Sequence, residues 1–168
     1  LRVSFKTANP LPGDIGLVRI TGAVGAGISL GQRLVGSGSY FTHAFVVVGD
    51  DLAVQAQPGG AVLTSLFGAV DGRRVAYSDF DLSDRQRALI CAHAKLLVGT
   101  PYSFLDYAAI GAARFTGIKA LEDYVSESGH VICSQLADLA YRRAGIDLFP
   151  NRIPGDVAPG DIARLIGA

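Results

Sequence analysis

Fifteen residues, HAFVVVGDDLAVQAQ from His43 to Gln57, constrain this chain more than any others. Residues 43 to 48 are rich in β-branched side chains and apolar on both faces, the pattern of a strand in a packed sheet. Gly49-Asp50-Asp51 turns the chain, and Leu52 to Gln57 returns. Leu52, Val54 and Ala56 lie on one face of that second strand, and Ala53, Gln55 and Gln57 on the other. A three-residue loop pairs Val48 with Leu52, Phe45 with Gln55 and His43 with Gln57, so that His43 shares a face with both glutamines. A two-residue loop puts the glutamines on the opposite face.

Other segments are expected to build around this hairpin. Pro12-Gly13-Asp14 is a turn signal before a short strand, Ile15 to Ile20. Residues 21 to 39 are glycine-rich but lack the G-x-G-x-x-G order and the Gly-Lys-Ser/Thr of phosphate loops. They read as a loop, a short helix from Ile28 to Val35, and a turn. Ala61 to Leu66 and Arg73 to Tyr77 read as strands. Ser83-Asp84-Arg85-Gln86 fits a capping box, opening a helix to about Val98 that Gly99-Thr100-Pro101 stops. Further helices are expected over about Phe104 to Phe115 and from Cys133 to Gly145, the latter with Arg142 and Arg143 at the negative end of its dipole. Pro154-Gly155-Asp156 and Pro159-Gly160-Asp161 repeat the turn signal. Strands followed by helices define an α+β fold, an antiparallel sheet packed on one side by helices.

The 168 residues suit one domain, and a hydrophobic share of 49% supplies its core. Lys and Arg total 15 against 15 Asp and Glu, so total charge recruits neither nucleic acid nor an anionic membrane. No apolar run is long enough to span a bilayer, and no signal peptide is visible. The chain has no methionine, so residues 1–168 are expected to be one domain processed or excised from a longer chain. Compartment and oligomeric state stay open. Two cysteines make no disulfide framework, and His130-x-x-Cys133 and Cys91-x-His93 lack the paired spacing of a zinc site. No metal or other cofactor is expected.

Cys133, Leu136, Ala137, Ala140, Tyr141 and Ala144 form one apolar stripe on the last of these helices. Cys133 therefore faces inward at a helix N-terminus. A buried structural thiol accounts for that placement. A nucleophile accounts for it too, because unpaired N–H groups there stabilise a thiolate and can receive an oxyanion. A nucleophile needs a base. His93 lies on an apolar stripe as a boundary residue, and His130 is in the run-in to Cys133. His43, on the face of Phe45 and Val47, is the strongest candidate, because an ionisable ring there needs partners. Gln55 or Gln57 would accept from Nδ1–H and leave Nε2 to take the thiol proton. The alternative is that both glutamines face solvent from a one-sided strand, the reading preferred for Gln57.

The segments HAFVVVGD, AVQAQPGGAV and ICSQLADLAYRRAGI together resemble the NlpC-type superfamily of papain-like cysteine peptidases. The histidine strand precedes the cysteine helix here, as in the circularly permuted branch that includes lecithin–retinol acyltransferase-like enzymes. Pro-Gly-Asp-Ile at 12–15 and 159–162 and GTPYSF at 99–104 are similar to pieces of that branch. The resemblance covers about Pro12 to Ile162. It implies a papain-like fold with Cys133 as nucleophile, His43 as base and Gln55 as the third polar residue. Permuted members usually carry glutamate or histidine at that third position, and a neutral glutamine stabilises imidazolium less than a carboxylate does. Ser134, through its backbone N–H, and Gln135 are oxyanion candidates, and Tyr102 a cleft candidate.

The resemblance implies a cysteine amidohydrolase acting on a peptide amide of bacterial peptidoglycan. That substrate would place it in the periplasm, outside the cell or on a virion. An acyltransferase or esterase on a lipid or other acyl substrate is the alternative, with residues 21 to 39 bordering its groove. A catalytically silent binding module of the same fold is a third reading.

Overall fold

Strands β1 (Phe5–Lys6), β2 (Ile15–Val18), β3 (His43–Gly49), β4 (Leu52–Gln57), β5 (Gly60–Ser65) and β6 (Val75–Ser78) pair in a six-stranded sheet. Its order is β1-β6-β2-β3-β4-β5, and every ladder is antiparallel. The structure, a computed structural model, describes residues 3–34, 36–101, 132–152 and 156–168. Among these, the helices are α1 (Gly22–Leu34), α2 (Leu66–Val70), α3 (Asp84–Leu96), α4 (Cys133–Arg143) and α5 (Pro159–Ile166). The α+β class expected from the sequence is the one observed. The helix expected over 104 to 115 lies outside the described residues.

The period-2 pattern of β3 divides the molecule. Ala44, Val46 and Val48 join Ile15, Leu17, Val54 and Ala56 beneath α3, α4 and α5, against Ile90, Leu136, Ala140, Tyr141 and Ile162. Phe45 and Val47 face the other way, with Val18, Ala53, Tyr77 and Ala69 of α2. Burial on both faces is why this strand reads as one apolar run. Gly16 of β2 lies opposite Phe45, and a Cβ there would overlap the Phe45 ring. Glycine is the side chain that lets the ring lie flat on the sheet.

The hairpin is closed differently from the three-residue expectation. Gly49 pairs with Leu52, which leaves a two-residue loop, and the register shifts between Val47 and Gly49. Val48 is therefore an extra residue, a bulge, and does not pair with Leu52. The bulge restores the face that the shorter loop alone would invert, so Phe45 still pairs with Gln55. The β3–β4 ladder ends at that pair, and His43 has no partner at Gln57.

Two turn readings are overturned. The glycine-rich stretch is helical from Gly22, not from Ile28. Ile28 and Gln32, one turn apart, are buried, and the Gln32 amide donates to Phe41 O (3.1 Å) and accepts from Gly160 N (2.5 Å). Such tertiary contacts override a cost of about 1 kcal/mol per helical glycine. Pro159-Gly160-Asp161 is likewise not a turn. It is the first turn of α5, with proline at the start and Asp161 Oδ2 accepting from Ala158 N (2.8 Å).

The capping box at Ser83 and Gln86 forms as expected, and α3 ends at Leu96. On α4, Leu136, Ala137, Ala140 and Tyr141 are fully buried, as the stripe requires. The Tyr141 hydroxyl donates to Gly13 O (2.5 Å), tying α4 to the turn before β2. Gly145 follows the helix at φ 80°, where glycine is unstrained.

Candidate functional site

His43 is the first residue of β3 and is 7% exposed. Its Nε2 lies 2.7 Å from Oε1 of Gln55. The amide oxygen only accepts, so Nε2 carries the proton and Nδ1 keeps its lone pair. This reverses the expected roles: Nδ1, not Nε2, is the nitrogen left as a base. Pairing of Phe45 with Gln55 makes Gln55 the diagonal neighbour of His43 on one face, which puts the amide in reach. Gln57 is exposed, beyond the ladder.

Burial pushes the imidazole down to about 4; the Gln55 bond opposes that shift, and the Arg73 charge adds to it. The ring is therefore neutral at pH 7. Arg73 stands just before β6, and its Nη2 pairs with exposed Asp71 at 3.1 Å. Its Nε is buried with no hydrogen-bond partner among the described residues.

Cys133 is the first residue of α4 and is 1% exposed. The backbone N–H groups of Ala44, Ser134 and Cys133 itself and the Ser134 hydroxyl lie close enough to the sulfur to favour its thiolate. Ala44 is free to donate because the β3–β4 ladder has already ended at Phe45. Burial outweighs these donors and pushes the thiol up to about 11. The low thiol pKa expected at a helix N-terminus is thus not found, since desolvation of a thiolate costs more than the neighbouring donors return. The sulfur lies near Ala44, one residue along β3 from His43. No hydrogen bond joins it to the imidazole among the described contacts.

The flanking candidates have structural partners. Gln135 Oε1 accepts from Ile132 N (2.8 Å), capping α4. The Ser134 hydroxyl donates to Val157 O (2.5 Å). Tyr102 and His130 lie outside the described residues. His93 is half-buried on α3. Cys91 is a core thiol beneath β3, its Sγ 3.7 Å from Val47 O. Both cysteines are free. Among the described residues no three His, Cys, Asp or Glu side chains converge as a metal site would need, and no helix is long and apolar enough to cross a membrane.

A cavity of about 300 Å³ opens in front of His43. Gln55, Gln57 and Arg73 supply its polar wall, and Ile20, Ile28, Ala56 and Pro58 its apolar one. Cys133 does not line it. Arg73 is the residue that the sequence did not single out, because an arginine pair before a strand ordinarily faces solvent. The chain matches no protein-family model, and no curated protein is significantly similar to it.

Proposed function

We propose that the chain is a cysteine-dependent hydrolase of the permuted papain-like type, with Cys133 as nucleophile, His43 as base and Gln55 as the residue that orients the base. One observation carries this reading. The thiol at the N-terminus of α4 lies beside the backbone N–H of Ala44, the neighbour of an imidazole whose tautomer Gln55 fixes.

The chemistry starts from two neutral groups. His43 Nδ1 takes the thiol proton as Sγ attacks a carbonyl carbon, which forms the C–S bond and a tetrahedral oxyanion. The N–H groups of Cys133 and Ser134 are the donors for that oxyanion. Collapse breaks the bond to the leaving amine or alcohol, which takes the proton back from His43. Water, deprotonated by the same nitrogen, then attacks the acyl-enzyme and releases acid and thiol. Turnover requires substrate to bring Sγ into the open and within reach of Nδ1; catalytic hydrogen bonds that are long in a free enzyme commonly tighten in the complex. By resemblance, the amide is a peptide bond of bacterial peptidoglycan.

Two other readings have specific support. The apolar wall of the cavity, including Ile28 from the glycine-rich segment, suits an acyl ester and hence an esterase or acyltransferase. Burial of the thiol suits a binding module without turnover. Incubation of the wild type, Cys133→Ala and His43→Ala with peptidoglycan fragments and with acyl esters, read by mass spectrometry, separates all three. Cleavage by the wild type that both variants lose is the expected result, and the bond cut tells amide from ester. Cleavage by Cys133→Ala at the wild-type rate removes the proposed nucleophile. An intact substrate in every sample leaves the binding module.

A further inference from the structure

The chain as a whole is neutral, with 15 basic and 15 acidic residues, yet one end of its sheet is not. Val18 pairs with both His43 and Val75. Arg19 follows Val18, and Arg73 and Arg74 precede Val75, so three arginines are brought to the His43 end of the sheet. Two of them, Arg19 and Arg74, place their guanidinium carbons 5.1 and 5.4 Å from the centroid of one ring, that of Tyr40. Stacking of two cations on one ring gathers positive charge instead of dispersing it. Among the described residues neither of these two arginines has an ion pair, and Asp71 alone partners the third.

Arg73 carries that charge into the cavity. Among the described residues it is the one charged side chain in the polar wall, and its side chain is 29% exposed. Its ion-pair partner among the described residues, Asp71, is 72% exposed, and a surface pair of that kind is worth about 1 kcal/mol or less. The guanidinium thus keeps most of its capacity for a planar oxyanion, which it can hold through two parallel N–H donors. The same cavity has an aliphatic lining from Ile20, Ile28, Ala56 and Pro58.

We propose that this cavity takes amphiphilic oxyanions, with the apolar segment against Ile20, Ile28 and Pro58 and the carboxylate or phosphate at Arg73. For the hydrolase reading, on which this assignment of substrate class rests, Arg73 is a specificity-determining residue: it selects amides or esters whose acyl portion bears a negative group. The binding itself does not need turnover, so the two ideas are separable.

The test uses Cys133→Ala protein, which cannot turn over by the proposed route, titrated by calorimetry with hexanoate, hexyl phosphate and the neutral isostere hexanamide. At least one anion is expected to bind about tenfold or more tighter than hexanamide, a difference of about 1.4 kcal/mol. The tighter anion distinguishes a carboxylate from a phosphate ligand. Adding Arg73→Gln is expected to erase the preference, and Arg73→Lys to retain part of it, with circular dichroism reporting the fold of each. Equal affinity for anion and amide, no binding of any probe, or a preference that survives Arg73→Gln in folded protein overturns the proposal. Selective binding of the anions alongside an inert wild type, in the cleavage assay above, sinks the hydrolase reading and leaves this one standing.

Discussion

Nε2 of His43 donates to Oε1 of Gln55 across 2.7 Å, and that bond decides which imidazole nitrogen is available for chemistry. The bond exists because a bulge at Val48 compensates a two-residue loop. A chain with the same loop and no bulge would turn Gln55 to the helix-covered face and leave a buried ring without a partner.

Replacing the partner should move the ring's titration. A carboxylate at that position favours imidazolium, so Gln55→Glu is expected to raise the His43 pKa by about one unit or more from its value near 4. Gln55→Ala removes the bond that opposes desolvation and should lower it further. Histidine ring NMR across pH measures both. A pKa unchanged in Gln55→Glu would show that the amide does not hold the ring. If the chain is a hydrolase, the acid limb of its pH–rate profile moves with the ring.

The two buried groups together predict a plateau of stability. His43 in the unfolded chain titrates near 6.5 and in the fold near 4, so its neutral burial begins to cost stability below pH 6.5, and the loss is complete below 4. Cys133 titrates near 9 unfolded and about 11 folded, so its contribution is intact below pH 9 and is lost as pH rises through 11. Each limb is worth roughly 3 kcal/mol. Urea denaturation from pH 4 to 11 should show His43→Gln with a flatter acid limb than the wild type and Cys133→Ala with a flatter alkaline limb. Parallel curves for variant and wild type would contradict these shifts.

Thiol chemistry gives a sharper readout. A pKa two units above the free value leaves roughly 100-fold less thiolate at pH 7.5. Iodoacetamide should therefore modify Cys133 at least about 100-fold more slowly in the native protein than in urea, since burial also excludes the reagent, as peptide mapping can follow residue by residue. Rapid native labelling would mean that the sulfur is neither buried nor protonated as described.

Packing at the centre of the sheet is open to a direct test. Gly16→Ala puts a methyl group into the Phe45 ring and should cost about 1–3 kcal/mol by overpacking. Phe45→Leu added to Gly16→Ala should recover part of that loss, although Phe45→Leu alone is destabilising. Strict additivity in a double-mutant cycle would mean that the two residues do not touch.

The sequence alone determined what local physics governs. A β-branched apolar run marked β3, alternation marked β4, helical periodicity marked the buried stripe of α4, Ser83 and Gln86 marked a cap, and Gly145 marked a helix end. These depend on neighbours a few residues apart, so the chain states them directly. Tertiary structure decided the rest. Gly22 to Gly27 became helical because Gln32, later in the same helix, found buried partners in Phe41 and Gly160, and Pro159-Gly160-Asp161 opened a helix where Gly160 met Gln32 and Asp161 met Ser37 and Arg152. The bulge at Val48 chose the face of Gln55. A helix N-terminus predicts a lowered thiol pKa, but burial of Cys133 against Ala44 reversed the sign, because desolvation depends on everything packed around a group and not on its place in the chain. Arg73 entered the cavity for the same reason: β6 was laid beside β2, and strand pairing over that distance is a property of the folded sheet.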